Sequence, residues 1–142
     1  MTKDTGKPRY FLGIEVAYQK HGLLLYQRKY ILDLLEETSM LGCKPASTPM
    51  EANVDLWCDN NLLDDLGQYR RLIGKFIYLT VTRHDITFAV GVLSRFMHQP
   101  REVHWTAALR TLAYIKSSPE KGLLYKKHEH IRIFGYLTQD ML

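Results

Sequence analysis

Residues 68–82 read Gln68-Tyr69-Arg70-Arg71-Leu72-Ile73-Gly74-Lys75-Phe76-Ile77-Tyr78-Leu79-Thr80-Val81-Thr82. At about 100° per residue, Tyr69, Leu72, Ile73, Phe76, Ile77, Leu79 and Thr80 fall on one arc, which predicts an amphipathic helix that buries this side. The opposite arc gathers Arg71, Gly74, Lys75, Tyr78 and Thr82, with Arg70 and Arg83 nearby. Downstream, Asp85 is placed to cap a second helix through Phe88, Ala89, Val92, Leu93 and Phe96 to about His98. Pro100 separates it from a third, Glu102 to Lys116, with Trp105, Ala108, Leu109, Leu112 and Ile115 on its apolar side. Three successive helices make this the dominant structural region.

Upstream, Tyr10 to Ala17 and Gly22 to Tyr26 read as two strands around the polar turn Tyr18-Gln19-Lys20-His21. Arg28 to Ser39 reads as a helix with Tyr30, Ile31, Leu34, Leu35 and Thr38 along one side. Residues 42–66 hold Pro45, Pro49, Asn53, Asn60 and Asn61 and five of the fifteen acids, the pattern of a long loop or insertion. After the turn Ser117-Ser118-Pro119-Glu120-Lys121-Gly122, Leu123 to Lys126 and Ile131 to Tyr136 read as a final strand pair. The fold class is therefore α+β: an N-terminal β-hairpin, a helical bundle and a C-terminal β-strand pair.

With 142 residues, 46% of them hydrophobic and 24% charged, the chain fits one ordinary domain and not a disordered segment. No apolar run reaches the ~18 to 20 residues of a membrane-spanning helix, and the polar start Met1 to Arg9 has no signal-peptide core. Cys43 and Cys58 fit a reducing compartment. The net charge of +4 is unevenly spread: residues 1–32 carry +4, 33–66 carry −7, 67–116 carry +6 and 117–142 carry +1. A basic helical segment beside an acidic one points to an anionic partner more than the total does.

Asp64-Asp65 is the one adjacent pair of aspartates, but it sits where a loop enters a helix, so capping outweighs two-metal chemistry. His98 and His104, and His128 and His130, match no compact zinc spacing, which favours surface or capping roles. There is no Gly-x-Ser-x-Gly elbow and no phosphate-cradling glycine loop, since Gly67 and Gly74 lie far apart and no Ser or Thr follows Lys75. The basic arc of Arg71, Lys75 and Tyr78 with Arg70 and Arg83 could follow a row of phosphates. Spacing alone favours an ordinary solvated face over that reading.

The wording of the motifs adds specificity. Tyr10-Phe11-Leu12-Gly13-Ile14-Glu15-Val16, Gln27-Arg28-Lys29-Tyr30, Leu41 to Met50, Tyr69-Arg70-Arg71-Leu72-Ile73-Gly74-Lys75 and Thr82-Arg83-His84-Asp85-Ile86 form one ordered series. Ser94 to His98, Pro100, His104, Tyr114-Ile115-Lys116 and Gly122-Leu123 continue it. The series resembles the reverse transcriptase of copia-type LTR retrotransposons, an RNA-directed DNA polymerase with ribonuclease H, over about Arg9 to Tyr136.

That resemblance implies the end of the palm with a primer-grip-like hairpin and helix at 1–41, an acidic loop at 42–66, a helical thumb-like region at 67–118 and the first strands of a truncated ribonuclease H-like domain at 119–142. It implies that Phe11, Leu12 and Gly13 cradle a primer end and that Arg70, Arg71, Lys75, Tyr78 and Arg83 grip a template–primer duplex, raising phosphate binding above the solvated-face reading. The partners it implies are that duplex and the other parts of a Pol polyprotein, inside the cell, with no membrane.

The family's Tyr-Val-Asp-Asp hairpin, whose carboxylates hold Mg²⁺, is expected upstream and is not in these residues. At Gly135-Tyr136-Leu137-Thr138-Gln139-Asp140 the ribonuclease H aspartate is replaced by Thr138, with Asp140 on a non-catalytic position, and a hydroxyl cannot serve between two Mg²⁺ ions. His84 stands where the family usually has Pro. The expectation is thus a fragment without cofactor or catalysis of its own. Its alternatives are a non-catalytic nucleic-acid-binding module or an inert relic whose hairpin is left with exposed apolar faces and edges.

Overall fold

The computed structural model describes residues 9–57 and 61–126. Its elements run β1 (Arg9–Phe11), β2 (Ile14–Gln19), β3 (Gly22–Tyr26), α1 (Arg28–Glu37), α2 (Leu66–Leu79), a 3-10 turn His84–Ile86, α3 (Thr87–Ser94), α4 (Glu102–Lys116) and β4 (Gly122–Lys126). Helices and an antiparallel sheet coexist, which is compatible with an α+β class.

The stretch Tyr10 to Ala17, expected to be one strand, is folded on itself. Leu12 and Gly13 both take positive φ, +57° and +84°, and Phe11 lies opposite Ile14 across a two-residue turn. Positive φ at both central residues matches the right-handed twist of hairpin strands, and Gly13 supplies one of them without steric cost. Lys20 and His21 make a second tight turn, with Gln19 opposite Gly22.

The C-terminal strand is the larger departure. β4 pairs antiparallel with β3, Gly22 opposite Lys126 and Tyr26 opposite Gly122, so the sheet runs β1-β2-β3-β4. The partner expected for β4, Ile131 to Tyr136, lies outside the described residues, as do Thr138 and Asp140. One sheet face buries Ile14, Val16, Leu23 and Leu25 against Tyr78 and Tyr125, so the hairpin's inner face is covered. The outer face leaves Tyr10 and Leu124 exposed.

The helices share a second, larger core. Ile31, Leu34 and Leu35 of α1 meet Tyr69, Leu72, Ile73, Phe76 and Leu79 of α2, Val90 and Leu93 of α3, and Ala108, Leu112 and Ile115 of α4. Asp65 caps α2, its Oδ1 accepting the Gln68 N–H at 3.0 Å, which gives one of the paired acids the capping role. Three expected helix details differ. Ile77 stays 48% exposed, since it lies on the flank of the buried arc. Asp85 does not cap α3, because its carboxylate faces Arg83 and Tyr114. Phe88 points out of the helical core, 79% exposed.

The acidic stretch is fastened to α4 and not left as a free insertion. Ala46 N–H donates to the Ala113 carbonyl, Thr111 Oγ1 to the Pro49 carbonyl at 3.0 Å, and Arg110 Nη2 to Thr48 Oγ1 at 2.8 Å. Lys116 Nζ donates to the Leu41 and Cys43 carbonyls. Leu56 is buried, and Glu102 N–H donates to the Asn61 carbonyl.

Candidate functional site

One face of α2 carries Arg71, Lys75 and Tyr78 at helical spacing, and it ends against the tip of the first hairpin. There the Tyr78 hydroxyl donates to the Leu12 carbonyl. A Cβ on Gly13 would sit 2.8 Å from the Tyr78 oxygen, so a side chain here would push the phenol aside, and the φ of +84° itself favours glycine. The Tyr30 ring meets Tyr78 edge to face at 4.9 Å. Burial pushes the Tyr78 phenol above its ordinary pKa, keeping the donating proton in place. The structure thus joins three of the candidates, Leu12, Gly13 and Tyr78, and sets Arg71 and Lys75 along the same helix. Phe11 enters through its backbone, as the β1 residue opposite Ile14.

Further ties fix the angle between helix and sheet. Thr82 Oγ1 donates to Gln27 Oε1 at 2.5 Å, and both residues are buried. Glu15 of β2 is buried as well, its Oε2 accepting the Lys29 N–H at 2.7 Å in the first turn of α1. A carboxylate on the free N–H groups of a helix start is favourable for both partners.

Each basic candidate has its own surroundings. Lys75 Nζ lies 2.5 and 2.8 Å from the two Glu37 oxygens, an ion pair across α1 and α2. Arg71 is exposed and only loosely paired, 4.0 Å from Asp65. Both line a hollow of about 150 Å³ with Glu37, Gln68 and Trp105. Arg70 is turned the other way: its Nε and Nη2 donate to the Met97 and His98 carbonyls at 2.7 and 2.9 Å, holding the turn after α3.

Arg83 corrects the expectation most sharply. It is 0% exposed, so no phosphate reaches it. Its Nε and Nη2 donate to the two Asp85 oxygens at 3.1 and 3.0 Å, and Nη1 donates to the Ser118 carbonyl at 3.0 Å. Tyr114 Oη donates to Asp85 Oδ2 at 2.6 Å, and Lys121 stands 3.3 Å from the same oxygen. Burial works to raise the Asp85 pKa. The hydrogen bonds from Arg83 and Tyr114, with the charges of Arg83 and Lys121, overcome it and hold the carboxyl well below the usual range. This clasp ties the end of α2 to the end of α4 and the approach to β4.

One residue that sequence reasoning missed shapes the site, and one histidine takes a role it foresaw. Glu37 neutralises Lys75, and nothing in the order of residues signals a contact 38 positions away. His104, set down as a surface or capping histidine, is buried and does cap: its Nδ1 accepts the Arg101 N–H at 2.9 Å. Its Nε2 therefore carries the proton donated to the Leu56 carbonyl at 2.7 Å. With both ring nitrogens engaged, His104 has none left for a metal. Among the described residues no group of three or more His, Cys, Asp or Glu could hold a metal ion. No helix among them is long and apolar enough to cross a membrane.

Comparison with known proteins gives a consistent set of relatives. The chain is 41% identical, over 92% of its length, to the retrovirus-related Pol polyprotein from transposon RE2 of Arabidopsis thaliana. It is 42% identical over 97% of its length to that from transposon RE1 of the same plant. It spans 9% and 10% of these two polyproteins. An uncharacterized mitochondrial protein of Arabidopsis thaliana is 33% identical over 97% of the chain, which covers 58% of that protein. No protein-family model matches the chain, and no solved structure does.

Proposed function

We propose that this chain, a homologue along nearly its whole length of the Pol polyproteins of copia-type transposons, corresponds to the part of the reverse transcriptase that grips the template–primer duplex and not to the part that catalyses. The observation that carries this reading is the junction of Tyr78 with the Leu12–Gly13 turn, across 66 residues of sequence. It supports a hairpin tip and a basic helix face acting on one ligand, with Arg71 and Lys75 as the phosphate contacts. A polymerase must hold any sequence, so backbone contacts suit it better than base contacts. Arg70 and Arg83 support the site from behind, through the turn after α3 and through the clasp.

On this reading the 142 residues bind but do not polymerise. Asp65 is committed to its cap and no carboxylate cluster accompanies it among the described residues. Primer extension with the purified chain and Mg²⁺ is expected to give no nucleotide incorporation, and incorporation would overturn this part.

Binding is tested by titrating an RNA–DNA hybrid duplex over a salt series. The plot of log affinity against log salt should be steep, and Arg71→Ala with Lys75→Ala should flatten it by about two phosphate contacts. Glu37→Gln should act in the opposite sense, releasing Lys75 and raising affinity about threefold at low salt. Affinity indifferent to salt and to these changes would refute the duplex-gripping reading.

A further inference from the structure

A second cleft lies at the turn between α3 and α4, and it shares no residue with the α2 face. It has a volume of about 370 Å³ and is lined by Leu56, Trp57, Arg95, Phe96, His98, Gln99, Arg101 and His104. That is within the ~300–1,000 Å³ of sites that hold small organic groups. Its wall is aromatic: the Trp57 ring meets Phe96 edge to face at 4.9 Å, and Phe96 stacks on His104 at 3.8 Å and 18°. Trp57 is nevertheless 75% exposed, so most of one of the chain's two indoles lies open to solvent.

The polar lining is basic, with no acidic side chain among the described residues that form it. Arg95, the C-cap residue of α3, is exposed and stands out among the bases of the helical region. Arg70, Arg83, Arg110 and Lys116 donate to internal oxygens, and Lys75 pairs with Glu37. Among the described residues the Arg95 guanidinium has no such partner. His98 gives its backbone carbonyl to Arg70, and its imidazole takes no part in that contact. Gln99 adds an amide that can donate and accept at a base edge.

We propose that this cleft holds an unpaired nucleotide of a nucleic-acid strand, its base on Trp57 and its phosphate on Arg95 and His98. An open indole and an exposed guanidinium lining one cleft match a ligand that is flat and aromatic at one point and anionic at another. Stacking is indifferent to base identity, so the site takes any base. Base-paired duplex is excluded, because its bases are not free to stack on the indole.

The chain has two tryptophans, so Trp105→Phe leaves Trp57 as the only indole emitter. A short oligothymidylate is titrated against this variant, beside an abasic phosphodiester strand of the same length, an RNA–DNA duplex and a phosphotyrosine peptide. The oligothymidylate is expected to quench Trp57 and the abasic strand to bind more weakly without quenching. Adding Arg95→Ala should flatten the salt slope by about one phosphate contact. In the two-tryptophan chain, read by anisotropy of a labelled strand, Trp57→Ala should weaken binding roughly tenfold. Arg71→Ala with Lys75→Ala should leave the quenching intact, which separates this site from duplex binding. An unchanged Trp57 emission with oligothymidylate, or equal quenching by the duplex or the phosphotyrosine peptide, would overturn the proposal.

Discussion

The helical part and the sheet are stabilised in different ways. α1, α2, α3 and α4 each contribute buried side chains to one shared core, from Ile31 on α1 to Ile115 on α4. The sheet's own core is four aliphatic residues, Ile14, Val16, Leu23 and Leu25, with two tyrosines at its margin. At about 1.5–3 kcal/mol per fully buried aliphatic side chain, so small a cluster cannot offset the conformational entropy of four strands by itself. Tyr78 of α2 packs on this cluster, and polar ties add to it: Tyr78 to Leu12, Thr82 to Gln27, the Lys29 N–H to Glu15, and Arg83 to Ser118. The helices cohere by area and the sheet by a small cluster with a few directional bonds, so single substitutions should separate the two.

The largest effect is expected where both parts meet. Arg83→Met leaves Asp85 without its main partner and the Ser118 carbonyl without its donor, and should cost about 3 kcal/mol, read as a fall in the urea midpoint. If the midpoint barely moves, the clasp is not what couples helices to sheet. Gly13→Ala should come next, at about 1–2 kcal/mol, because the position combines positive φ with the Tyr78 contact. Hydrogen exchange should show the loss in β1 and β2 while α4 keeps its protection, and equal loss in both would dissolve the contrast between the regions.

The smallest effect belongs to the helical side. Burial, joined by the Arg101 charge, lowers the His104 pKa below its ordinary 6.5, although the Leu56 hydrogen bond acts the other way. The unfolded chain therefore takes up this proton first as the pH falls. Stability should be full above about 6.5 and decline below it, and His104→Asn should flatten that decline. Persistence of the same decline in the variant would assign it to another group. Asp85 acts later, since the stability held in its lowered pKa is lost only as the pH falls past the ordinary carboxylate value of 3.8.

Sequence periodicity carried the helices because it reports which way side chains face, and it identified Tyr69, Leu72, Ile73, Phe76 and Leu79 as the buried arc of α2. The cap at Asp65 was legible because its partner is three residues away. Charge was a poorer guide. The +6 of residues 67–116 suggested a broad anionic interface, yet Arg83 is buried and Arg70, Arg110 and Lys116 are tied to internal oxygens. An arginine's five donors serve a phosphate or a set of carbonyls equally well, and only the fold decides between them. Glu37 beside Lys75 and β4 beside β3 were out of reach for a related reason. Both are contacts between distant segments, which no local pattern encodes.

The return of β4 to β3 also sets an order of assembly. The two strands are about a hundred residues apart, so their pairing waits for the slowest loop closure in the chain. During synthesis from the N-terminus, β3 leaves the ribosome long before β4 exists. Until then its edge is open to any other strand. A nascent chain stalled before residue 122 would present that edge at its most adhesive, which makes the last described strand as much a seal against misassembly as a part of the fold.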